Sequence, residues 1–278
     1  MHPELFRLGD FALHSYGACL AAGILAAYYA LMRLARRRGM DEGRLSNLVT
    51  LLVVGGLAGA RVFFVAEHWN WYRGDLLAAL KVWEGGLVYY GSLVAGAALL
   101  ALWCVATRTA PLAVFDLFAA VVPLGQAFGR LGCFLNGCCH GRVADTFASV
   151  RYPAGSIPWR WQVGAGLIGN SSAVSLPVIP AQLVEAAGCL VLSLALCALH
   201  RSRTSQARPG LVVGSYLAAY GALRFFTETL RADERAHPFG GALTISQCIS
   251  VAAIAAGVAL LLLAAARTRG EGKVRPDA

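Results

Sequence analysis

Apolar residues in this chain follow neither the 3.6-residue spacing of a surface helix nor the alternation of a half-buried strand; they gather in long runs separated by short polar stretches. Runs of this kind predict helices with apolar surroundings on every side, and about 20 residues is the length that crosses roughly 30 Å of hydrocarbon. Seven are predicted, at about 11–32, 46–66, 87–106, 112–129, 178–199, 210–230 and 243–265, the fourth being the most polar because it contains Asp116, Pro123 and Gln126. The expected fold class is an all-α membrane protein, a polytopic bundle of seven transmembrane helices with a small external head region between helices four and five. One bundle domain is expected over 1–266, including the head loop at about 140–177, followed by a disordered cytoplasmic tail at 267–278. No fixed-period repeat is evident.

Composition supports the membrane class, since 58% of the residues are hydrophobic and 14% charged, against about 25% charged in soluble domains. Arginines concentrate after spans one, five and seven, as in Arg36, Arg37, Arg38 and Arg44, while Glu67, Asp75, Glu84, Asp233 and Glu234 dilute the basic residues on the opposite side. The positive-inside rule then puts the N-terminus outside and the C-terminus in the cytoplasm. The net charge of +9 is spread over short loops, which suits anionic headgroups and gives no reason to expect a nucleic-acid partner. Glu4 and Asp10 precede span one and no A-x-A site follows it, so that span is expected to stay in the membrane. The head loop carries Tyr152, Trp159 and Trp161, which suit either a small subdomain or interfacial anchoring.

The candidate chemistry is concentrated in Phe128-Gly129-Arg130-Leu131-Gly132-Cys133-Phe134-Leu135-Asn136-Gly137-Cys138-Cys139-His140-Gly141-Arg142. An arginine in a span costs about 2.5 to 3.5 kcal/mol on insertion scales, so Arg130 calls for an anionic partner. Span six brings Tyr220, Arg224, Glu228 and Arg231, which share one face if the helix runs through all four. Arg224 and Glu228 can neutralise each other, whereas Arg231 and Arg130 have no partner within these motifs and leave positive charge near the outer leaflet. Converging arginines at headgroup depth suit a phosphate, which a guanidinium fork binds through paired charge-assisted hydrogen bonds. His14 and Tyr16 open span one, and read alone they are either ordinary interfacial residues or a base and a hydrogen-bonding anchor. The glycines of Trp83-Glu84-Gly85-Gly86-Leu87-Val88-Tyr89-Tyr90-Gly91, like Gly55, Gly56 and Gly59, are expected to serve close packing.

Of the eight cysteines, Cys19, Cys104, Cys189, Cys197 and Cys248 lie in spans and are expected to pack. For Cys133, Cys138 and Cys139 a disulfide, packed thiols and a reactive thiol all stay open. Their C-x4-C-C-H spacing matches no common zinc pattern, and neighbouring cysteines rarely share one ion with good geometry, so no metal is expected.

Taken together, these segments resemble the prolipoprotein diacylglyceryl transferase family over most of the chain. The resemblance is carried by Gly129-Arg130-Leu131-Gly132-x-Phe134-Leu135-Asn136-Gly137 with Gly141-Arg142, and by Tyr220-Gly221-x-x-Arg224-Phe225-x-x-Glu228-x-x-Arg231. It extends to Pro180-x-Gln182-Leu183-x-Glu185, Gly59-Ala60-Arg61, His14-x-Tyr16-Gly17 and Leu243-Thr244-Ile245-Ser246-Gln247. It implies a bacterial inner-membrane enzyme of seven helices that moves the diacylglyceryl group of phosphatidylglycerol onto the lipobox cysteine of a prolipoprotein signal peptide, without a cofactor. By position, Arg130 and Arg224 would hold the phosphate and stabilise it as it leaves. Glu228 would orient Arg224, Asn136 and Gly141 would shape the site, and Tyr16 would help place the lipid. Arg231 and Tyr90 join the expected binding residues, and His14 is nominated beside His140 to take the thiol proton. The chain departs from the family at Cys133 for an asparagine, Cys138 for a glutamate and Tyr90 for a histidine, which points to a divergent member. A paralogue with another acceptor or lipid, and a non-enzymatic lipid-binding or thiol-sensing protein, are the alternatives.

Overall fold

The structure is a computed structural model and describes residues 4–8, 11–82, 85–232 and 241–271. Trp83, Glu84, Asp233, Glu234 and the last seven residues, each drawn into the sequence reading, lie outside that set. Among the described residues seven helices have 18 residues or more: α1 (Ser15–Arg37), α2 (Glu42–Glu67), α4 (Tyr89–Ala106), α5 (Pro111–Asn136), α7 (Ala181–Arg201), α9 (Leu211–Thr229) and α10 (Ile245–Glu271). Shorter helices are α3 (Trp69–Tyr72), α6 (Ile157–Gly164) and α8 (Arg203–Ala207). Five of the long helices are long and apolar enough to cross a membrane, and α4 adds a shorter apolar one. Their outward faces carry large apolar side chains such as Leu194, Val191 and Leu262 at 65%, 66% and 66% exposure. Faces of that kind match a lipid solvent. The protein is thus a polytopic helical membrane protein.

Two expected boundaries shift. Two antiparallel strands, β1 (Glu4–Leu8) and β2 (Phe11–His14), pair ahead of α1, which begins at Ser15 instead of 11. The apolar alternation of Phe11 and Leu13 had merged with the span behind it. At the other end α10 continues to Glu271, past the expected start of the tail, so its first residues are helical and not disordered.

The chain divides into two compact units, Met1–Leu31 with Phe115–Ala278, and Met32–Val114. In the second, α2 and α4 touch through glycine: a Cβ on Gly91 would lie 2.3 Å from the Gly59 carbonyl oxygen, and the Ser92 hydroxyl donates to the Gly56 carbonyl at 2.8 Å. Small residues let helix backbones approach where no hydrophobic drive from water exists. Arg61 is buried and donates to the carbonyls of Ala79, Gly85 and Ala78 at 2.7, 2.6 and 3.0 Å. Its place in the family motif is therefore occupied by a clamp on the α2–α4 connection.

The first unit uses the same packing at Gly221, where a Cβ would meet the Ser250 carbonyl oxygen of α10 at 2.9 Å, and at Gly23, where one would meet Phe128 of α5 at 2.7 Å. The polar residues that weakened the fourth span are accounted for. Buried Asp116 accepts from the backbone N–H groups of Gly210 and Val213, both at 2.8 Å, and so caps α9 from a different helix. Pro123 interrupts the α5 ladder, and one turn earlier the Ser193 hydroxyl of α7 donates to the Ala120 carbonyl at 3.0 Å. Gln126 donates to the Tyr216 hydroxyl at 3.1 Å.

Candidate functional site

The signature segment forms the last turns of α5 and the reversal after it. The expected end at 129 is seven residues early, because the helix continues through Arg130 to Asn136. It stops where Gly137, at φ +82°, donates to the Cys133 carbonyl at 2.9 Å, a left-handed termination that glycine adopts without a Cβ clash. Cys139 also has a left-handed backbone, at φ +60°. A non-glycine residue held there costs on the order of 1–3 kcal/mol, which the surrounding structure must offset.

The turn feeds a small head. Gly141 donates to the Ile179 carbonyl at 3.0 Å and Arg142 to the Leu230 carbonyl at 2.9 Å, while Ala232 donates to the His140 carbonyl at 3.2 Å. These bonds tie the turn to the start of α7 and the end of α9. A Cβ at Gly141 would lie 2.4 Å from the Ile179 carbonyl oxygen and 2.8 Å from that of Leu230. Both neighbours are backbone and cannot step aside, so Gly141→Ala is expected to lower stability by about 1–3 kcal/mol in a thermal unfolding measurement; an unchanged midpoint would show that the head is not fastened here. Beyond Gly141, the head is stitched by Gln162, which accepts from Leu176 N–H at 2.7 Å, and by the Trp159 indole, which donates to the Ser172 carbonyl at 2.8 Å. Trp161 packs against His140, with ring centroids 5.4 Å apart. The loop tryptophans therefore take part in a folded subdomain.

Arg130 pairs with Glu185 of α7 at 2.9 Å, its side chain 20% exposed and the carboxylate 3%. The expectation that Arg130 lacks a partner is corrected: the counterion lies on another helix, 55 positions away in the sequence, where spacing on one helix gives no signal. Among the described residues Glu185 Oε1 has no aligned hydrogen-bond donor, so charge holds the pair in place of a locked fork. Arg224 pairs with Glu228 at 2.6 Å and donates to the Ser246 hydroxyl at 3.2 Å from the same Nη2. Thr244 donates to the second Glu228 oxygen at 2.9 Å. Arg224 Nη1 is buried and has no hydrogen-bond partner among the described residues. An unsatisfied donor of that kind costs free energy until an acceptor arrives.

Arg231 does not continue the α9 face. The helix ends at Thr229, and Arg231 forms a bridge with Gly141 instead, because the last turn tightens to three-residue bonds at Leu230 and Arg231. That places its side chain within electrostatic reach of Cys139. Arg130 in turn lies within electrostatic reach of Tyr220, Cys133 and Cys139, and Tyr16 within reach of Arg130 and all three cysteines. Tyr16 also meets Gly132, where a Cβ would approach its Cα to 3.2 Å. The ends of α5 and α9 and the starts of α1 and α7 thus bring Tyr16, Arg130, Glu185 and Arg231 around one turn.

The remaining candidates fall as follows. Asn136 ends α5, two residues before Cys138. His14 ends β2 opposite Glu4 and is exposed. His140 is buried, with Nδ1 3.1 Å from the Gly141 carbonyl, which fits a packed residue and not a mobile base. Tyr90 belongs to the other compact unit, at the start of α4, with an exposed side chain. Gln182, which the sequence placed only inside a motif, donates to the Cys138 carbonyl at 2.8 Å and to the Tyr152 hydroxyl at 3.4 Å. Burial pushes the Tyr152 phenol up from its ordinary pKa.

All eight cysteines are free thiols, and the five assigned to spans include the buried Cys104 and Cys189. The Sγ atoms of Cys133, Cys138 and Cys139 lie within 4.8 Å of one another. The Cys138 thiol donates to the Cys133 carbonyl at 3.8 Å, and the adjacent thiols of Cys133 and Cys138, joined by the charge of Arg231, hold the Cys139 thiol below its ordinary pKa against the opposing effect of burial.

The family model for prolipoprotein diacylglyceryl transferase matches residues 3–263. Three bacterial proteins named phosphatidylglycerol–prolipoprotein diacylglyceryl transferase are similar along most of their length. The one from Synechococcus elongatus is 31% identical over 92% of this chain and 85% of its own. The one from Streptococcus uberis is 29% identical over 94% of both, and that of Parasynechococcus marenigrum 34% identical over 83% of this chain and 80% of its own. With the family model matched over nearly the whole chain and relatives above 30% identity along most of it, the chain belongs to the prolipoprotein diacylglyceryl transferase family.

Proposed function

We propose that this protein transfers the diacylglyceryl group of phosphatidylglycerol to the lipobox cysteine thiol of prolipoproteins, the first step of bacterial lipoprotein maturation. The observation that carries the reading is Arg224, whose Nη2 is committed to Glu228 and Ser246 while Nη1 is buried with no partner among the described residues.

Arg130 and Arg224 hold the phosphate, with Arg231 beside them and Glu228 fixing the Arg224 fork. Tyr16 helps to place the lipid, and Asn136 and Gly141 give the turn its shape. The acceptor thiol, deprotonated by His14, attacks the glyceryl carbon. A C–S bond forms as the C–O bond breaks, and the electron pair moves to the phosphate oxygen that departs as glycerol phosphate. The arginines act on charge that grows on that oxygen, where fixed donors in a water-poor site contribute most. Alignment of thiolate and C–O bond supplies the rest.

The setting proposed for this chemistry is one bundle domain over 1–266, with all seven long helices crossing the inner membrane, the N-terminus and the head at 140–177 outside, and the tail in the cytoplasm. Incubation of the purified protein with phosphatidylglycerol vesicles and a lipobox peptide tests the function. Mass spectrometry should find a diacylglyceryl adduct on the cysteine peptide and none on its serine counterpart. A folded protein that binds the vesicles and never modifies the peptide would overturn the reading.

A further inference from the structure

Three thiols converge at the turn after α5, and nothing in the transfer chemistry described above uses them. We propose that Cys133, Cys138 and Cys139 bind one thiophilic divalent cation of the zinc class, with its fourth position open to the acceptor thiol. The ion site stands on its own geometry; the role of the open position rests on the transferase reading.

Three thiolates around a zinc ion, at about 2.3 Å each, stand roughly 3.8–4.0 Å apart. The three Sγ atoms, all within 4.8 Å of one another, need only small side-chain rotations to reach that spacing. The objection that neighbouring cysteines rarely serve one ion is met by the turn itself. Gly137 at φ +82° reverses the chain, and the left-handed backbone of Cys139 at φ +60° returns its thiol toward Cys138 and the end of α5. Cys138 and Cys139 are half-buried, so an ion has access to them.

The surroundings suit the charge. Three thiolates and a divalent cation carry one negative charge, and two arginines flank it. Arg231 is within electrostatic reach of Cys139, and Arg130 of Cys133 and Cys139. Among the described residues no fourth cysteine, histidine or carboxylate joins the cluster, and His140 is turned to the Gly141 carbonyl and packed on Trp161. Three protein ligands with one open position is the pattern of a reactive zinc site.

A thiol entering the open position loses its proton, because the cation stabilises the thiolate far more than the thiol. The proton passes to water, and the bound thiolate attacks the glyceryl carbon as the C–O electron pair leaves on the phosphate oxygen. The thioether product is a weaker ligand and departs; no oxidation or reduction occurs. The cation would thus acidify the acceptor in a chain that carries cysteines where the family usually carries an asparagine and a glutamate.

The test uses the full chain in detergent, reduced, stripped with a chelator, then loaded with zinc alone and desalted. Elemental analysis should find about one zinc per chain, and background levels in the triple variant Cys133→Ser, Cys138→Ser, Cys139→Ser with an unchanged size-exclusion profile. Loaded with cobalt instead, the wild-type protein should show thiolate charge-transfer bands, with visible bands that shift on addition of a lipobox cysteine peptide and not of its serine counterpart. Folded wild-type protein that holds no zinc, equal zinc in the triple variant, or a mass lighter by two hydrogens from a disulfide between these cysteines would each overturn the ion site. A cobalt spectrum indifferent to the cysteine peptide would overturn the open position. These measurements need no lipid donor. Zinc bound by a protein that cannot transfer therefore defeats only the transferase reading, and transfer by a protein that never binds zinc defeats only the ion site.

Discussion

Arg224→Lys should lower diacylglyceryl transfer to a lipobox peptide by about 10²–10³-fold, the cost of removing one preorganised donor from a developing negative charge, and should leave the protein folded. Arg224 uses one nitrogen, Nη2, for Glu228 and Ser246, and keeps the other, buried and without a partner among the described residues. Lysine preserves the charge and can still answer Glu228 from its single ammonium. It cannot hold the carboxylate and a phosphate in the two fixed directions of a planar fork. The change therefore separates neutralising Glu228 from binding the donor lipid. Alanine would be a poorer test, because Glu228, 3% exposed at its side chain, would lose its guanidinium, and stranding a buried carboxylate costs about 3–5 kcal/mol in stability. If the lysine variant keeps wild-type rates at saturating and limiting phosphatidylglycerol alike, Arg224 is a structural partner of Glu228 and the phosphate is held elsewhere.

The helices were legible in the sequence because a membrane span has to be apolar along its whole length, and length alone then sets its extent. What the sequence misjudged lies where polar residues enter the spans. Arg130 made the fourth span look finished at 129, yet α5 continues to Asn136 because Glu185 neutralises the arginine from another helix and the first left-handed residue is Gly137. Arg231 looked like the next step of a helical stripe, but α9 ends at Thr229 and hands Arg231 to Gly141 and Cys139. Asp116 looked like a defect in a span and proves to be the cap of α9. Each error has one source: a contact far apart in sequence, which periodicity on a single helix does not encode. The meeting of the three thiols was hidden for a local reason, since two left-handed residues in three positions defeat any rule based on a regular backbone. The arginines themselves were legible, because a guanidinium in a span is costly enough to need an explanation wherever its partner lies.

Arg130 allows structure and chemistry to be separated more sharply, through Glu185. Arg130→Gln alone should abolish measurable transfer and also destabilise the protein by about 3–5 kcal/mol, because the carboxylate of Glu185 stays buried without its cation. Arg130→Gln combined with Glu185→Gln removes both charges and leaves two amides of similar size facing each other. Replacing a buried ion pair by neutral groups that pack is often near neutral in stability, so the double variant should regain most of the lost thermal midpoint. It should not regain transfer, since no guanidinium remains at that position to hold the phosphate. Glu185→Gln alone keeps Arg130 and loosens it, and is expected to raise the KM for phosphatidylglycerol more than it lowers kcat, the signature of a residue that positions the binding cation. Activity recovered in the double variant along with stability would reduce Arg130 to a partner for Glu185 and leave Arg224 and Arg231 to carry the phosphate. Stability recovered without activity places the Arg130 guanidinium on the lipid.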